Sequence, residues 1–251
     1  MIPRSIITSA ALCLSAVPTL HAGVFSLGHG DLRIRFAGGQ LQQSIHLDPE
    51  SIIDGAEAGG FPDGDEYAPR NVSILVPEPT LPRPAGPEWD FIATAAGNPV
   101  WFIPEVQEFD RPWLGFSTES LVRSEWSAFR MSLLNMTAPA GGHFSLTDSG
   151  GPLFARTFFA TGDGITAADS FDAPLQTHAH YSWLFTSPGD YFVTLQISGI
   201  HQTAGALSST ETYHFAVVPE PSGSLLLLAS AAGILTRRQR SAASSRPSSN
   251  H

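Results

Sequence analysis

The chain has 251 residues, a formal net charge of −10, one cysteine and no lysine. Five of its 13 basic residues are Arg4, Arg237, Arg238, Arg240 and Arg246, while all 23 acidic residues lie between Arg4 and Arg237, leaving that stretch 8 basic against 23 acidic residues, a net −15. Such a surface repels phosphate backbones and anionic lipid, which excludes nucleic acid as a partner and favours cations or neutral molecules.

Residues 1–22 read as a secretory signal peptide. Arg4 supplies the positive start, Ile6 to Leu20 are mostly apolar, and His21-Ala22-Gly23 offers small residues for signal peptidase. Pro18 interrupts the run, which disfavours a permanent membrane helix. Leu12 before Cys13 is not the small residue that a lipidation signal wants. Cleavage at Ala22 removes the only cysteine, so the exported domain must hold together by core packing without disulfides.

Residues 23–217 read as one all-β domain, an antiparallel two-sheet sandwich. Alternation marks strands at Leu32 to Phe36, Asn71 to Val76, Tyr191 to Ile197 and Thr212 to Val217, with Gly and Pro clusters between them. Ser187-Pro188-Gly189-Asp190 has proline and glycine where a type II turn wants them, which predicts a hairpin joining Tyr181–Thr186 to Tyr191–Ile197. A helical period shows only weakly, over Ser120 to Phe129.

Strand parity places His29 and Asp31 on one face with Arg33 and Arg35, and places His178 and His180 on one face with Ser182. Leu32, Ile34 and Phe36, like Ala179, Tyr181, Trp183 and Phe185, take the opposite, inward faces. Both His-containing pairs are thus expected to project away from the core on adjacent strands. Two imidazoles and a carboxylate on adjacent strands suit zinc or a similar divalent ion, and His29, Asp31, His178 and His180 are the candidate ligands. His46, His143, His201 and His214 are not placed by the sequence. Asp63-Gly64-Asp65-Glu66 closes an acidic stretch from Asp48 that reads as a solvated loop, since the EF-hand spacing is absent.

Asp148-Ser149-Gly150-Gly151-Pro152 resembles the nucleophile segment of chymotrypsin-like serine proteases. A triad needs a base and an orienting acid, and no matching histidine segment precedes it, so a glycine-rich turn is the preferred reading and Ser149 hydrolase chemistry the least favoured. Trp101, Trp113, Trp126 and Trp183 are the tryptophans considered for sugar stacking; Trp101 and Trp183 sit in apolar strand contexts that predict core. A glycan-binding or extracellular-matrix structural module is the alternative to a metal-binding role, and no catalytic residue is expected.

At the far end, Val218-Pro219-Glu220-Pro221 precedes an apolar run, Leu225 to Leu235, and then Arg237, Arg238 and Arg240. The run is shorter than the roughly 20 residues of a comfortable bilayer span. With its arginines on the cytoplasmic side it suits a transient stop at the inner membrane, and 241–251 read as a disordered tail. The segment 218–240 resembles the PEP-CTERM sorting signal of Gram-negative bacteria that export polysaccharide. The resemblance implies an exosortase as processing partner, display at the cell surface or in the extracellular matrix, and extracellular polysaccharide as a neighbour. Pro77-Glu78-Pro79 lacks the apolar run and is a loop.

The domain itself is similar to the choice-of-anchor M domain, related to an actinobacterial surface-anchored domain. The matching segments are Gly28-His29-Gly30-Asp31-Leu32, Pro99 to Pro104, Trp113 to Thr118, His143 to Leu146 with Gly150, and His178 to Thr186 continuing through Pro188-Gly189-Asp190-Tyr191. That likeness implies surface display without a defined activity. The association of some relatives with metal-type transport systems adds to the metal reading.

Overall fold

The computed structural model describes residues 23–78, 80–148 and 156–219. In chain order they form β1 (Gly23–Ala37), β2 (Gln40–Leu47), β3 (Ile52–Ile53), β4 (Ala56–Glu57), β5 (Asp65–Tyr67), β6 (Val72–Val76), β7 (Leu81–Pro82), β8 (Pro99–Ile103), β9 (Pro112–Ser117) and β10 (Trp126–Thr137). There follow β11 (Phe144–Asp148), β12 (Arg156–Ala160), β13 (Ser170–Asp172), β14 (His178–His180), β15 (Ser182–Phe185), β16 (Gly189–His201) and β17 (Gly205–Val217). Helix among the described residues is confined to short 3-10 segments, such as Pro87–Ile92 and Arg123–Glu125. Proline and glycine density leaves little room for longer ones.

The strands make two sheets, as the alternation predicts. The larger has the order β13-β10-β16-β17-β6-β1-β2-β5, with β3, β4, β9 and β14 joined at its side; the smaller has the order β12-β11-β15-β8-β7. Their inner faces share one apolar core. Phe215 of β17 packs 5.2 Å from Trp183 and 5.1 Å from Phe185 of β15, and Phe185 meets Tyr191 of β16 edge-on at 5.0 Å. These are centroid separations at which aromatic rings attract. Leu32 and Ile34, Trp101, Trp183 and Phe185 are all buried, as their parity required.

Antiparallel pairing dominates, but three pairings are parallel: β1 with β6, β1 with β9, and β6 with β17. β1 therefore lies inside the sheet, flanked by β2 on one side and by β6 and β9 on the other.

Two local expectations are corrected. The segment Ser187 to Asp190 does bend into β16, and Gly189 takes the positive φ (126°) that favours glycine. The flanking strands nevertheless do not form a hairpin. β15 pairs with β11 and β8 in the small sheet, while β16 pairs with β10 and β17 in the large one. The bend carries the chain from one sheet to the other. The weak helical period over Ser120 to Phe129 resolves into the 3-10 segment Arg123–Glu125 and the start of β10, where Trp126 and Phe129 are buried in the core. Tertiary burial outweighs a faint local period.

Residues 1–22, Ser149 with its glycines, and the segment from Glu220 through Leu225–Leu235 and the three arginines lie outside the described residues. Among the described residues no helix is long and apolar enough to cross a membrane.

Candidate metal centre

The histidine pairs meet because of how three strands are registered. β9 lies between β1 and β14, pairing in parallel with the first and antiparallel with the second. Asp31, Gly115 and His180 form one row across the three strands; His29 is opposite Trp113, and Arg33, Ser117 and His178 form the next row. Residues in one row point to one face. The middle position, Gly115, has no side chain. A Cβ there would lie 2.5 Å from Asp31 Oδ1, 2.9 Å from His180 Cε1 and 3.0 Å from His178 Nε2. Glycine thus leaves the gap across which the outer strands' side chains reach each other.

One ligand atom from each of His29, Asp31, His178 and His180 lies within 4.8 Å of the others. His178 Nε2 is 2.8 Å from Asp31 Oδ1, His29 Nε2 is 3.5 Å from that same oxygen, and the two Nε2 atoms are 3.2 Å apart. Donors bonded at about 2.0–2.1 Å to a tetrahedral ion sit about 3.3 Å from one another. Three of the four already match that spacing, and His180 completes it by a small shift.

Several neighbours hold this geometry. His29 Nδ1 donates to Asp48 Oδ2 at 2.9 Å, which fixes the ring with its Nε2 facing the cluster. The His180 ring stacks on Trp113 at 3.7 Å and 9°, and the Trp113 indole is fixed by donating to the Glu105 carbonyl at 2.9 Å. Both ring nitrogens of His180 are buried without a hydrogen-bond partner. Buried polar atoms in folded proteins are nearly always satisfied, so an unpartnered imidazole beside the Asp31, His29 and His178 group is the feature that calls for a ligand.

The expectation that these pairs project into solvent is met only in part. His178 is exposed, but Asp31 is 3% exposed and His29 and His180 are half-buried. The outward face of β1 is closed because β1 is an interior strand and Trp113, Asp48 and the other imidazoles fold over it. Nor are the two pairs on adjacent strands: β9 intervenes.

The electrostatics divide the set: Asp31 and His180 are held in the forms that ligate metal, whereas His29 and His178 are held toward the protonated form that an ion would have to displace. Burial alone would raise the Asp31 carboxyl, but His178 and His29 outweigh it and hold Asp31 well below the usual carboxylate range. Burial likewise works to lower His29, yet Asp31 and Asp48 raise it, while Asp31 raises His178 against a smaller effect of burial. His180 is pushed down to about 4 by burial and by the imidazoles of His178 and His29. It is therefore neutral near pH 7, the form that ligates metal.

Asp48 belongs to a wider polar chain that sequence reasoning left as a solvated loop. His46 lies between Asp48 (3.7 Å) and Glu66 (3.4 Å), and Glu66 takes hydrogen bonds from Arg33 (2.7 Å) and Ser44. Burial tends to raise the Glu66 carboxyl, but His46, Ser44, Arg35 and Arg33 bring it down to about 2. A depressed carboxylate stabilises the fold above its unfolded value of about 4.5 and loses that contribution as pH falls toward its folded value. Denaturant melts should accordingly show stability declining from about pH 4.5 to about pH 2, with a flatter profile over that window in Glu66→Gln. Superimposable profiles would remove Glu66 from the account.

The remaining histidines stay apart from this group. His201 lies against Phe36 and Trp126, and His214 pairs with Asp190 at 2.9 Å and stacks on Phe192. Trp101, Trp126 and Trp183 are buried, and Trp113 serves the histidine cluster. Trp113 and Gly115 are the positions that parity alone did not single out as site residues. The signal for both lay in one short strand, Trp113-Leu114-Gly115-Phe116, whose glycine interrupts an otherwise bulky apolar run. Comparisons of this chain with protein-family models, with curated proteins and with solved structures give no match.

Proposed function

We infer that this is an exported, surface-displayed, non-catalytic protein whose β domain binds one divalent transition-metal ion through His29, Asp31, His178 and His180. The observation that carries the reading is the convergence of these donors on a gap kept open by Gly115, with the His180 ring nitrogens buried and without a hydrogen-bond partner. Three imidazoles and one carboxylate favour zinc or a similar borderline ion over calcium or magnesium, which prefer all-oxygen shells. Four protein donors fill a tetrahedral shell, the pattern of closed structural sites; catalytic zinc usually keeps a position open. The domain has no cysteine after Cys13, so a metal clamp between β1 and β14 would serve the cross-linking role that disulfides play in other exported proteins. The terminal signals and their resemblance to a PEP-CTERM protein support display outside the inner membrane after exosortase processing.

Titration of the chelator-stripped protein with zinc is expected to saturate at one ion per chain. The His178→Ala/His180→Ala variant should lose that event, and Asp48→Asn should weaken it roughly 10–100-fold, the usual effect of removing the carboxylate behind a ligating histidine. Absence of a saturable event, or an unchanged one in the double variant, would sink the metal reading.

A further inference from the structure

The small sheet carries a second feature, unrelated to the histidine cluster. Alternation sends Trp101 and Ile103 of β8 and Trp183 and Phe185 of β15 into the core. The opposite parity, Val100, Phe102, Ser182 and Leu184, faces outward, where the strands of a sandwich are ordinarily polar. Three of these four are apolar. β7 extends the sheet beside β8, and residues 83–92 then run over it as a roof, tied down where Ser145 of β11 donates to the Phe91 carbonyl; here lies a cavity of about 390 Å³. Small-molecule sites span about 300–1,000 Å³.

The lining restricts what fits. Val100, Phe102 and Leu184 make the floor with Pro82 at its edge, while Trp89 and Ile92 belong to the roof. An indole and a phenyl ring in the lining suit a flat ring packed against them. The two cations nearby are committed to other partners. Arg83 is buried, pairs with Asp90 and donates to the carbonyls of Gly86 and Trp89, which holds the roof in place. The Arg111 guanidinium lies 4.3 Å over the Phe102 ring and pairs with Glu108 (2.9 Å) and Asp110 (3.1 Å). Glu105 and Glu108 stand on the remaining wall. Glu108 is taken by Arg111, and Arg83 by Asp90, so a charged ligand finds no uncommitted counter-charge among these groups. A sugar would leave most of its hydroxyls unpaired against so apolar a lining.

We propose that this cavity is a binding site for an uncharged, flat, ring-bearing apolar molecule, packed against Trp89 and Phe102 with the Ser182 and Thr147 hydroxyls at its edge. The site shares no donor residue with the histidine cluster and does not depend on a metal.

N-phenyl-1-naphthylamine, neutral and bright only in apolar surroundings, is a direct probe. Added to the purified protein in chelator, it should show saturable emission at one molecule per chain. Trp89→Ala should weaken binding about tenfold, in line with the loss of one aromatic wall, and Leu184→Trp should abolish it by filling the space. Should Leu184→Trp fail to fold, Leu81→Glu serves instead: Leu81 is 54% exposed at the lining, so a carboxylate there should lower affinity without disturbing the core. A signal that never saturates, or equal binding in Trp89→Ala and Leu81→Glu, overturns the proposal. Displacement of the probe by a neutral oligosaccharide such as maltotriose overturns the ligand class.

Discussion

Saturating zinc should raise the melting temperature of the purified protein by several degrees and leave the His178→Ala/His180→Ala variant unmoved. Ligand that binds only the folded state stabilises it by about 2.7 kcal/mol at a hundredfold excess over Kd. For a domain of about 200 residues each kcal/mol moves the midpoint by about 2–4 °C, giving a rise of roughly 5–10 °C. The effect should be specific because the donors come from separate strands and converge only in the fold. An equal rise in the variant would assign the shift to the acidic surface at large and count against the site.

The second large effect is expected from a single methyl group. Gly115→Ala places a Cβ 2.5 Å from Asp31 Oδ1 and about as close to the two imidazoles of β14. The position has no positive φ to strain, so space alone decides the outcome. The donors must spread, and zinc affinity should fall at least 100-fold, with a stability loss of about 1–3 kcal/mol from overpacking. Gly30→Ala is the matched control. Gly30 lies on the neighbouring strand β1, and its added Cβ would meet Leu47 Cδ2 at 2.7 Å and Phe25 at 3.0 Å, on the core side. It should destabilise the fold similarly while zinc affinity survives. If both variants lose zinc alike, or neither does, Gly115 is a packing residue and not the floor of a metal site.

The donor set was legible because alternation is local. His29 with Asp31, and His178 with His180, each sit two apart on a strand, so parity alone groups them. What parity does not contain is the strand lying between them. β9 reaches its place through a parallel pairing with β1, and parallel neighbours come from distant parts of a chain with no turn to announce them. Gly115 and Trp113 therefore looked like ordinary strand residues. The same ignorance of neighbours made the pairs look fully exposed, since alternation reports which side a residue takes and not what covers that side. Ser187 to Asp190 shows a related point: proline and glycine mark a bend leading into β16 at Gly189, whereas the sheet each flanking strand joins depends on contacts elsewhere. The cavity under 83–92 was hidden for another reason. Val100 and Phe102 alternate with Trp101 and Ile103 in one continuous apolar run, which by itself says only that both faces are covered.

The place of β1 inside the sheet has a consequence for how the protein comes into being. This strand emerges first among the described residues, yet one flank is completed by β9 and the donors opposite it come from β14; His178 trails His29 by 149 residues. Long-range pairing of this kind is slow, because loop closure must precede its reward. Until β9 arrives, the waiting strand has an unpaired edge open to wrong partners. The four candidate donors are not assembled in the growing polypeptide, so an ion bound there would join a finished protein instead of templating a nascent one.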